Sequence, residues 1–319
     1  MAILNAIKLK GYTTKFSNSN KIIKKFDKTD CADNLQKFLL LHRSCIAVFE
    51  AYVKSSDYSL TDIASKIKNI LKEMNTSFIY IAECSCGNIL EAPNIAINNF
   101  ELQEKQVTCH KCGKQKDIQK SDYHPDFEFK TRDCAKEVYK VLMFASENGV
   151  LDKNVSKECY ACGDTEDIEE KDEKSVNLKC SKCGKTSNVI TSFLPKEVLE
   201  PIIKYKQGYW LEWFIYRLLK NEDYEVGVEL CNKDNLKYES DIILLKDNKI
   251  TIISCKDSTA EDTDIKLVLI NEIANQFIMV TTRDNSQSPI VKASQRMFKE
   301  RFSLIAVDKI ENIKSYLSS

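Results

Sequence analysis

Close cysteine pairs constrain this 319-residue chain more than any other feature of its sequence. Eight of its 13 cysteines fall into four pairs: Cys84 with Cys86, Cys109 with Cys112, Cys159 with Cys162, and Cys180 with Cys183. A glycine follows each pair and allows the backbone to turn tightly beside a bound ion. The start of the chain lacks the long apolar core of a secretion signal, so the pairs indicate metal ligands rather than disulfides.

Two pairs together supply four thiolates, which complete the tetrahedral shell of a structural zinc ion. The sequence therefore predicts two zinc ribbons, the first within residues 77–125 and the second, preceded by a helix, within residues 126–204. The second set has the usual two-residue spacing in both pairs, whereas the first pair of the first set has only one intervening residue. His110 lies between two cysteine ligands and is not expected to bind the metal.

Composition narrows the class of protein. The chain has a hydrophobic content of 43%, a charged content of 29% and a formal net charge of zero. These values are ordinary for a globular protein and argue against a broadly basic surface. No apolar run approaches the roughly 18 residues that a membrane span needs, so we expect no membrane contact and a cytoplasmic location.

Residues 208–256 combine a helix with three strands. Apolar residues from Trp210 to Leu219 recur at helical spacing, and the carboxylate of Glu212 interrupts them. Strand-like runs follow at 224–230, 238–245 and 250–255. The second run contains Asp241, and Lys256 directly follows the third.

This combination is suited to phosphodiester hydrolysis. Carboxylate oxygens bind Mg²⁺ or Mn²⁺, and such a cation polarises the phosphate and lowers the pKa of a water molecule. A nearby ammonium group can orient the attacking water or stabilise the developing negative charge. Neighbouring strands bring Asp241 and Lys256 together, and the preceding helix can bring Glu212 to the same edge.

The segment resembles the PD-(D/E)xK, or restriction-endonuclease-like, domain of CRISPR-associated nucleases that cyclic oligonucleotides activate. Those domains read G-x-W-L/F-E, N-E-x-D and E-C-K-T, and the matching residues here are Gly208, Trp210, Leu211, Glu212, Glu239, Asp241, Cys255 and Lys256. Mrr-type endonucleases share the Glu, the Asp and the Lys. The resemblance covers residues 205–319 and implies an α/β domain with an α-β-β-β-α-β core. It does not extend to a sensor domain, so activation by cyclic oligonucleotides is not implied.

One residue departs from the family pattern, since Ser254 stands where the family has a metal-binding acid. Some restriction enzymes with this departure recruit a glutamate from the next helix. That helix is predicted over 264–275 and contains Glu272, which we expect to replace the missing acid. Glu239 is a rival, because it shares a strand face with Asp241.

The rest of the chain is predicted to contain both helices and strands. Residues 1–76 are assigned to an N-terminal, mainly helical region that contains a strand at 3–9 and helices at 32–54 and 61–74. Further predicted helices and strands complete the chain: helices at 132–147, 195–205, 290–300 and 309–317, and strands at 78–82, 95–102, 277–282 and 303–307.

The sequence thus predicts a metal-dependent endonuclease of prokaryotic defence against foreign nucleic acid, with DNA favoured over RNA. Asp241 and Glu212 are the expected metal ligands with Glu272, and Lys256 is the expected water-orienting cation. Two alternatives stay open: a nucleic-acid-binding module that has lost its catalytic acid, and a scaffold whose ribbons bind another protein. Homodimerisation also stays open.

Overall fold

A computed structural model of the chain describes most of its residues, in thirteen stretches. These are 2–41, 43–74, 81–83, 85, 89–91, 105–108, 112–118, 134–168, 178–203, 209–219, 224–257, 264–282 and 286–306. The chain divides into two compact units. Unit 1 contains residues 1–36, 72–75 and 198–319, and unit 2 contains residues 37–71 and 76–197.

The described helices are numbered in chain order. They are α1 (Ala2–Leu9), α2 (Asn18–Phe26), α3 (Asp30–Leu41), α4 (Arg43–Val53), α5 (Leu60–Met74), α6 (Cys134–Glu147), α7 (Glu200–Ile203), α8 (Tyr209–Leu218), α9 (Asp264–Ile273) and α10 (Pro289–Phe298). None of these helices is both long and apolar enough to span a membrane.

The described strands are numbered in the same way. They are β1 (Thr13–Phe16), β2 (Ile81–Glu83), β3 (Ile89–Glu91), β4 (Lys105–Thr108), β5 (Gln115–Ile118), β6 (Leu151–Glu158), β7 (Thr165–Ile168), β8 (Asn188–Pro195), β9 (Tyr224–Cys231), β10 (Lys237–Lys246), β11 (Lys249–Lys256), β12 (Gln276–Thr281) and β13 (Phe302–Ala306).

Unit 1 is built on a mixed sheet of six strands in the order β1-β9-β10-β11-β12-β13. The pairs from β1 to β11 are antiparallel, and β12 and β13 continue the sheet in parallel. Asp247 and Asn248 join β10 to β11 and have positive φ angles of 49° and 61°. Short polar residues tolerate this conformation and suit a two-residue hairpin turn.

Helices cover both faces of this sheet. Ile3 and Ile7 of α1 and Ile270 of α9 pack in one core cluster with Ile250 and Ile252 of β11. Side chains alternate between the two faces of a strand, so the buried Ile253 faces the opposite side. Helix α8 contacts β10 and β11, and α2 contacts β9.

The predicted strands and helices of the C-terminal domain are confirmed as far as the structure describes them. Strands β9 to β13 and helices α8 to α10 occupy the predicted runs to within a few residues. The second predicted helix of the N-terminal region is also confirmed, as α5. The predicted strand at 95–102 and the predicted helix at 309–317 lie outside the described residues.

The prediction for the N-terminal residues was wrong in two respects. Residues 3–9 form helix α1 rather than a strand, because Ile3 and Ile7 are one helical turn apart and both are buried. Residues 1–36 belong with the C-terminal domain rather than with a separate helical region, because β1 pairs with β9. The helix predicted over 32–54 appears as α3 and α4, and His42 between them lies outside the described residues.

Unit 2 combines helices with small antiparallel sheets. Its three-stranded sheet has the order β7-β6-β8, and two hairpins are formed by β2 with β3 and by β4 with β5. Phe38 stacks on Phe144, and Tyr139 meets Phe193 edge to face, which ties the helices of this unit to its sheet.

Gly227 in β9 provides a direct test of the contact between the N-terminal residues and the sheet. A Cβ at this position would lie 2.3 Å from Ser19 Oγ and 2.6 Å from the backbone nitrogen of Asn20. Its φ of +58° also disfavours an L side chain. We therefore expect Gly227→Ala to lower the free energy of unfolding of unit 1 by about 2 kcal/mol or more.

Gly11→Ala is the matched control for this prediction. Gly11 has a φ of +87°, but the nearest atom to its added Cβ is the flexible Lys233 Cε at 3.7 Å. We expect the control to cost only about 1 kcal/mol in denaturant unfolding. Equal losses in the two variants would contradict the close packing at Gly227.

Candidate active site and candidate zinc centre

Asp241 lies where β10 and β11 separate. The ladder between the two strands runs from Lys246 opposite Lys249 to Ile242 opposite Ile253. Immediately beyond it, the Asp241 carboxylate accepts hydrogen bonds from the Cys255 backbone N–H at 2.6 Å and from Ser254 Oγ at 3.3 Å. We call the place where the two strands separate the fork between β10 and β11. One oxygen of the Asp241 carboxylate bridges this fork by hydrogen bonds and fixes Asp241 beside the end of β11.

Glu212 reaches the same place from α8 and is only 6% exposed. Its neighbours Trp210, Leu211 and Trp213 are fully buried, so the apolar helix carries the carboxylate into the interior. Burial raises the pKa of Glu212 well above its usual range, and the charges of Asp241 and Glu239 raise it further. Carboxylates gathered in this way are stabilised by a cation.

Lys256 supplies one positive charge to this cluster. It is half-buried at the end of β11, and its charge lowers the pKa of Glu212 against the effects of burial and the carboxylates. The next residue, Asp257, accepts a hydrogen bond from Trp210 Nε1 at 3.0 Å. This bond connects α8 to the end of β11, so the helix with Glu212 and the strand end with Lys256 are held together.

Glu239 also lies at this edge, two residues before Asp241 on β10. Its carboxylate accepts a hydrogen bond from Ser19 Oγ at 2.9 Å, and Ser19 belongs to α2. No pattern in the sequence indicated a role for Ser19 or Asp257. The role of Ser19 could not be predicted from its local sequence, because its partner Glu239 is 220 residues away.

The structure does not bring Glu272 to this cluster. Its carboxylate accepts a hydrogen bond from Tyr12 Oη, and burial together with Glu272 raises the pKa of Tyr12. The end of α9 lies beside the start of β11, where the Asn275 N–H donates to the Ile250 carbonyl at 2.7 Å. Ser254 is four residues further along β11, a distance of about 13 Å.

The second cysteine set forms a compact cluster in unit 2. The sulfur atoms of Cys159, Cys162, Cys180 and Cys183 all lie within 4.8 Å of one another. Two of the separations are 3.5 Å and 3.6 Å, between Cys159 and Cys183 and between Cys162 and Cys180. A tetrahedral zinc ion with Zn–S bonds of about 2.3 Å requires sulfur separations of about 3.8 Å, so the cluster fits zinc.

Two similar turns present these thiols. The N–H of Gly163 donates to the Cys159 carbonyl at 2.7 Å, and the N–H of Gly184 donates to the Cys180 carbonyl at 3.0 Å. Both glycines have φ near +70°, which explains the glycine after each pair. Burial opposes ionisation of Cys159, yet hydrogen bonds from the Ala161 N–H and the Cys183 thiol lower the pKa of its thiol to about 6.

The first cysteine set falls mostly outside the described residues. Cys84, Cys86 and Cys109 are among the residues that the structure does not describe, whereas Cys112 is described and exposed. Gly113, directly after it, has a φ of +70°, the same conformation as the glycines of the second set. The first zinc site stays a prediction.

We expect two zinc ions per chain from elemental analysis of the purified protein. Cys180→Ser should remove one of them, because a three-thiolate shell binds zinc more weakly, and should destabilise the second ribbon locally. Cys231→Ser is the matched control, since Cys231 lies on β9 outside both sets and its variant should keep two zinc ions. Unchanged zinc in Cys180→Ser would contradict the assignment.

The raised pKa of Glu212 predicts how stability depends on pH without added Mg²⁺ or Mn²⁺. In the unfolded chain Glu212 releases its proton near its ordinary pKa of 4.5, whereas in the folded chain it keeps the proton to higher pH. The native state therefore binds more protons, and stability falls as pH rises above about 4.5. Glu212→Gln should match the wild type below that pH and melt at a higher temperature at neutral pH. Identical melting curves at neutral pH would contradict burial of an ionisable Glu212.

Comparison with known proteins gives one domain-level match. Residues 200–319 match the family described as "Card1-like, endonuclease domain". No curated protein matches the chain.

Two solved structures are among those with detectable similarity to this chain. Protein VC1899 from Vibrio cholerae is 13% identical, with a TM-score of 0.43, over 99% of this chain and 60% of that chain. Can2 from Sulfobacillus thermosulfidooxidans, in complex with cyclic tetra-adenylate, is 15% identical, with a TM-score of 0.28, over 39% of this chain and 46% of that chain. The match therefore spans about three fifths of the length of VC1899 and about half of the length of Can2.

The matched residues begin just before α8 and include Glu212, Asp241 and Lys256, the residues that converge at the fork between β10 and β11. Residues 200–319 of this chain are therefore similar to a Card1-like endonuclease domain.

Proposed function

We propose that this domain is a metal-dependent endonuclease that hydrolyses phosphodiester bonds, with DNA as its substrate, in prokaryotic defence against foreign nucleic acid. The observation that carries the proposal is the convergence of Glu212, Asp241 and Lys256 at one end of β11. The three residues come from a helix and two strands, in the order that the family motifs require. The match to a Card1-like endonuclease domain supports the same chemistry.

The donor set suits Mg²⁺ or Mn²⁺. Both ions prefer oxygen ligands, and the site offers the carboxylates of Asp241 and Glu212. Burial and acidic neighbours both disfavour the ionised form of Glu212. A bound divalent cation would favour that form by its opposite charge. When bound, such an ion would polarise the phosphate and lower the pKa of a water molecule.

The side chains of the site take distinct roles in this proposal. Asp241 is held by the Cys255 N–H, so its carboxylate is fixed at the place where the metal would bind. The Lys256 ammonium orients the attacking water or stabilises negative charge on the phosphate. Asp257, held by Trp210, keeps α8 and with it Glu212 against the end of β11.

Ser254 favours a second candidate function, nucleic-acid binding without cleavage. This buried serine replaces the usual acid and donates its hydroxyl to Asp241, so the position adds no negative charge to the site. In that case the domain and the cysteine ribbons hold nucleic acid or a protein partner only.

Asp241→Asn and Lys256→Ala test the proposal. The first removes a negative charge from the metal site while keeping its shape, and the second removes the cation beside the phosphate. We expect each to lower cleavage of single- or double-stranded substrates in Mg²⁺ or Mn²⁺ by on the order of 10²-fold or more. Asp247→Asn and Lys249→Ala are matched controls at the opposite end of the same hairpin, and both should cleave normally.

The outcomes separate the two candidates. Wild-type rates in Asp241→Asn and Lys256→Ala would contradict the assignment of cleavage to this site. If the wild type binds nucleic acid without divalent metal and never cleaves in its presence, the binding module is correct and the endonuclease proposal is wrong.

A further inference from the structure

The N-terminal residues form part of the unit that carries the candidate active site. The family match covers residues 200–319, whereas unit 1 also contains residues 1–36. Strand β1 extends the sheet beyond β9, with Thr13 opposite Cys231 and Phe16 opposite Val228. The endonuclease domain of this chain therefore includes residues from both ends of the sequence.

The segment after β1 meets β9 opposite Asp241. In the ladder between β9 and β10, Ser240 pairs with Val228 and Ile242 pairs with Val226, so Gly227 and Asp241 both lie between these two pairs. The Ser17 N–H donates to the Gly227 carbonyl at 2.9 Å. The start of α2 therefore packs against the backbone directly beside the candidate metal ligand.

The other end of α2 is tied to α8, the helix that carries Glu212. Phe26 meets Trp213 edge to face, with ring centroids 5.0 Å apart. Trp213 Nε1 donates to Asp27 Oδ1 at 3.2 Å, and Arg217 pairs with the same carboxylate at 3.2 Å. Helix α2 thus connects the helix of Glu212 to the strand of Asp241 and Glu239.

Two buried hydroxyls at the start of α2 form a hydrogen-bond chain that leads to the carboxylate of Glu239. Ser17 and Ser19 are 4% and 1% exposed, and their Oγ atoms are 2.7 Å apart. Because the Ser19 hydroxyl donates to Glu239 Oε1 at 2.9 Å, its oxygen accepts a hydrogen bond from the Ser17 hydroxyl. Glu239 itself is exposed apart from this contact, so Ser19 limits the orientation of its carboxylate.

We propose that Ser19 is a positioning residue that holds Glu239 as the third carboxylate of the metal site, in place of the acid absent at Ser254. This inference rests on the proposed function. Glu239 acts electrostatically on Glu212, and its second oxygen is not engaged by Ser19. A glutamate already held in one rotamer loses less conformational freedom when it binds a cation, and it therefore binds that cation more tightly.

Ser19→Ala tests this role through Mn²⁺ binding, measured calorimetrically on the zinc-loaded full chain without substrate. We expect the dissociation constant for Mn²⁺ to rise by about fivefold to tenfold, the effect of losing one hydrogen bond to a carboxylate. Glu239→Gln should weaken binding at least as much. Ser19→Ala should add nothing in the Glu239→Gln background, because the hydroxyl acts through that carboxylate.

Ser17→Ala is the matched control. It removes one oxygen from the same buried pair, and Ser17 makes no side-chain capping bond to α2, so the loss of stability should be similar. The control should keep wild-type Mn²⁺ affinity because the bond from Ser19 to Glu239 remains. Thermal melting of both variants shows whether the fold is retained.

Three outcomes overturn the inference in distinguishable ways. Wild-type Mn²⁺ affinity in Ser19→Ala contradicts the positioning role while leaving the proposed function intact. Equal weakening by Ser17→Ala and Ser19→Ala shows that the pair only supports the fold. If the wild type binds Mn²⁺ no better than Asp241→Asn does, the proposed function itself fails, and the role of Ser19 fails with it.

Discussion

The hydrogen bond between the Asp241 carboxylate and the Cys255 N–H is the contact on which the candidate site depends. The backbone pairing between β10 and β11 ends at Ile242 and Ile253, where the strands separate. Just beyond that pair, this side-chain hydrogen bond takes the place of a backbone one. A carboxylate is therefore fixed beside the end of β11, one residue from Lys256. Without this hydrogen bond, Asp241 would be an ordinary residue of β10. The polar cluster is held by the backbone, which makes its geometry precise.

Electrostatics explains why such a cluster is costly in isolation and useful with a cation. Burial raises the pKa of Glu212, and the charges of Asp241 and Glu239 add to that effect, whereas Lys256 opposes it only in part. The four thiols of the second cysteine set present the same problem in the other unit, because sulfur atoms within 4.8 Å cannot all ionise without a positive ion between them. In both places the sequence gathers groups that repel one another when charged, and metal binding offsets the repulsion.

The sequence predicted those parts of the molecule that depend on local pattern. Apolar runs bounded by turns indicated β9 to β13, and the glycine after each cysteine pair indicated the conformation that Gly163 and Gly184 adopt. It could not predict that residues 1–36 join the C-terminal sheet, because β1 is short and its partner β9 lies about 200 residues further along the chain. Nor could it predict the direction of Glu272, which depends on how α9 is placed and leads to Tyr12. The bond from Ser19 to Glu239 could not be predicted either, because it joins residues far apart in the sequence.

We propose that Asp241, Glu212 and Lys256 form a divalent-metal site for phosphodiester hydrolysis. The most direct test is an anomalous-difference map from crystals of the protein soaked in Mn²⁺. The account predicts a peak at the fork between β10 and β11, with carboxylate oxygens of Asp241 and Glu212 about 2.0–2.6 Å from it. A map with no peak at this fork, in crystals where Lys256 pairs directly with Asp241, would contradict it.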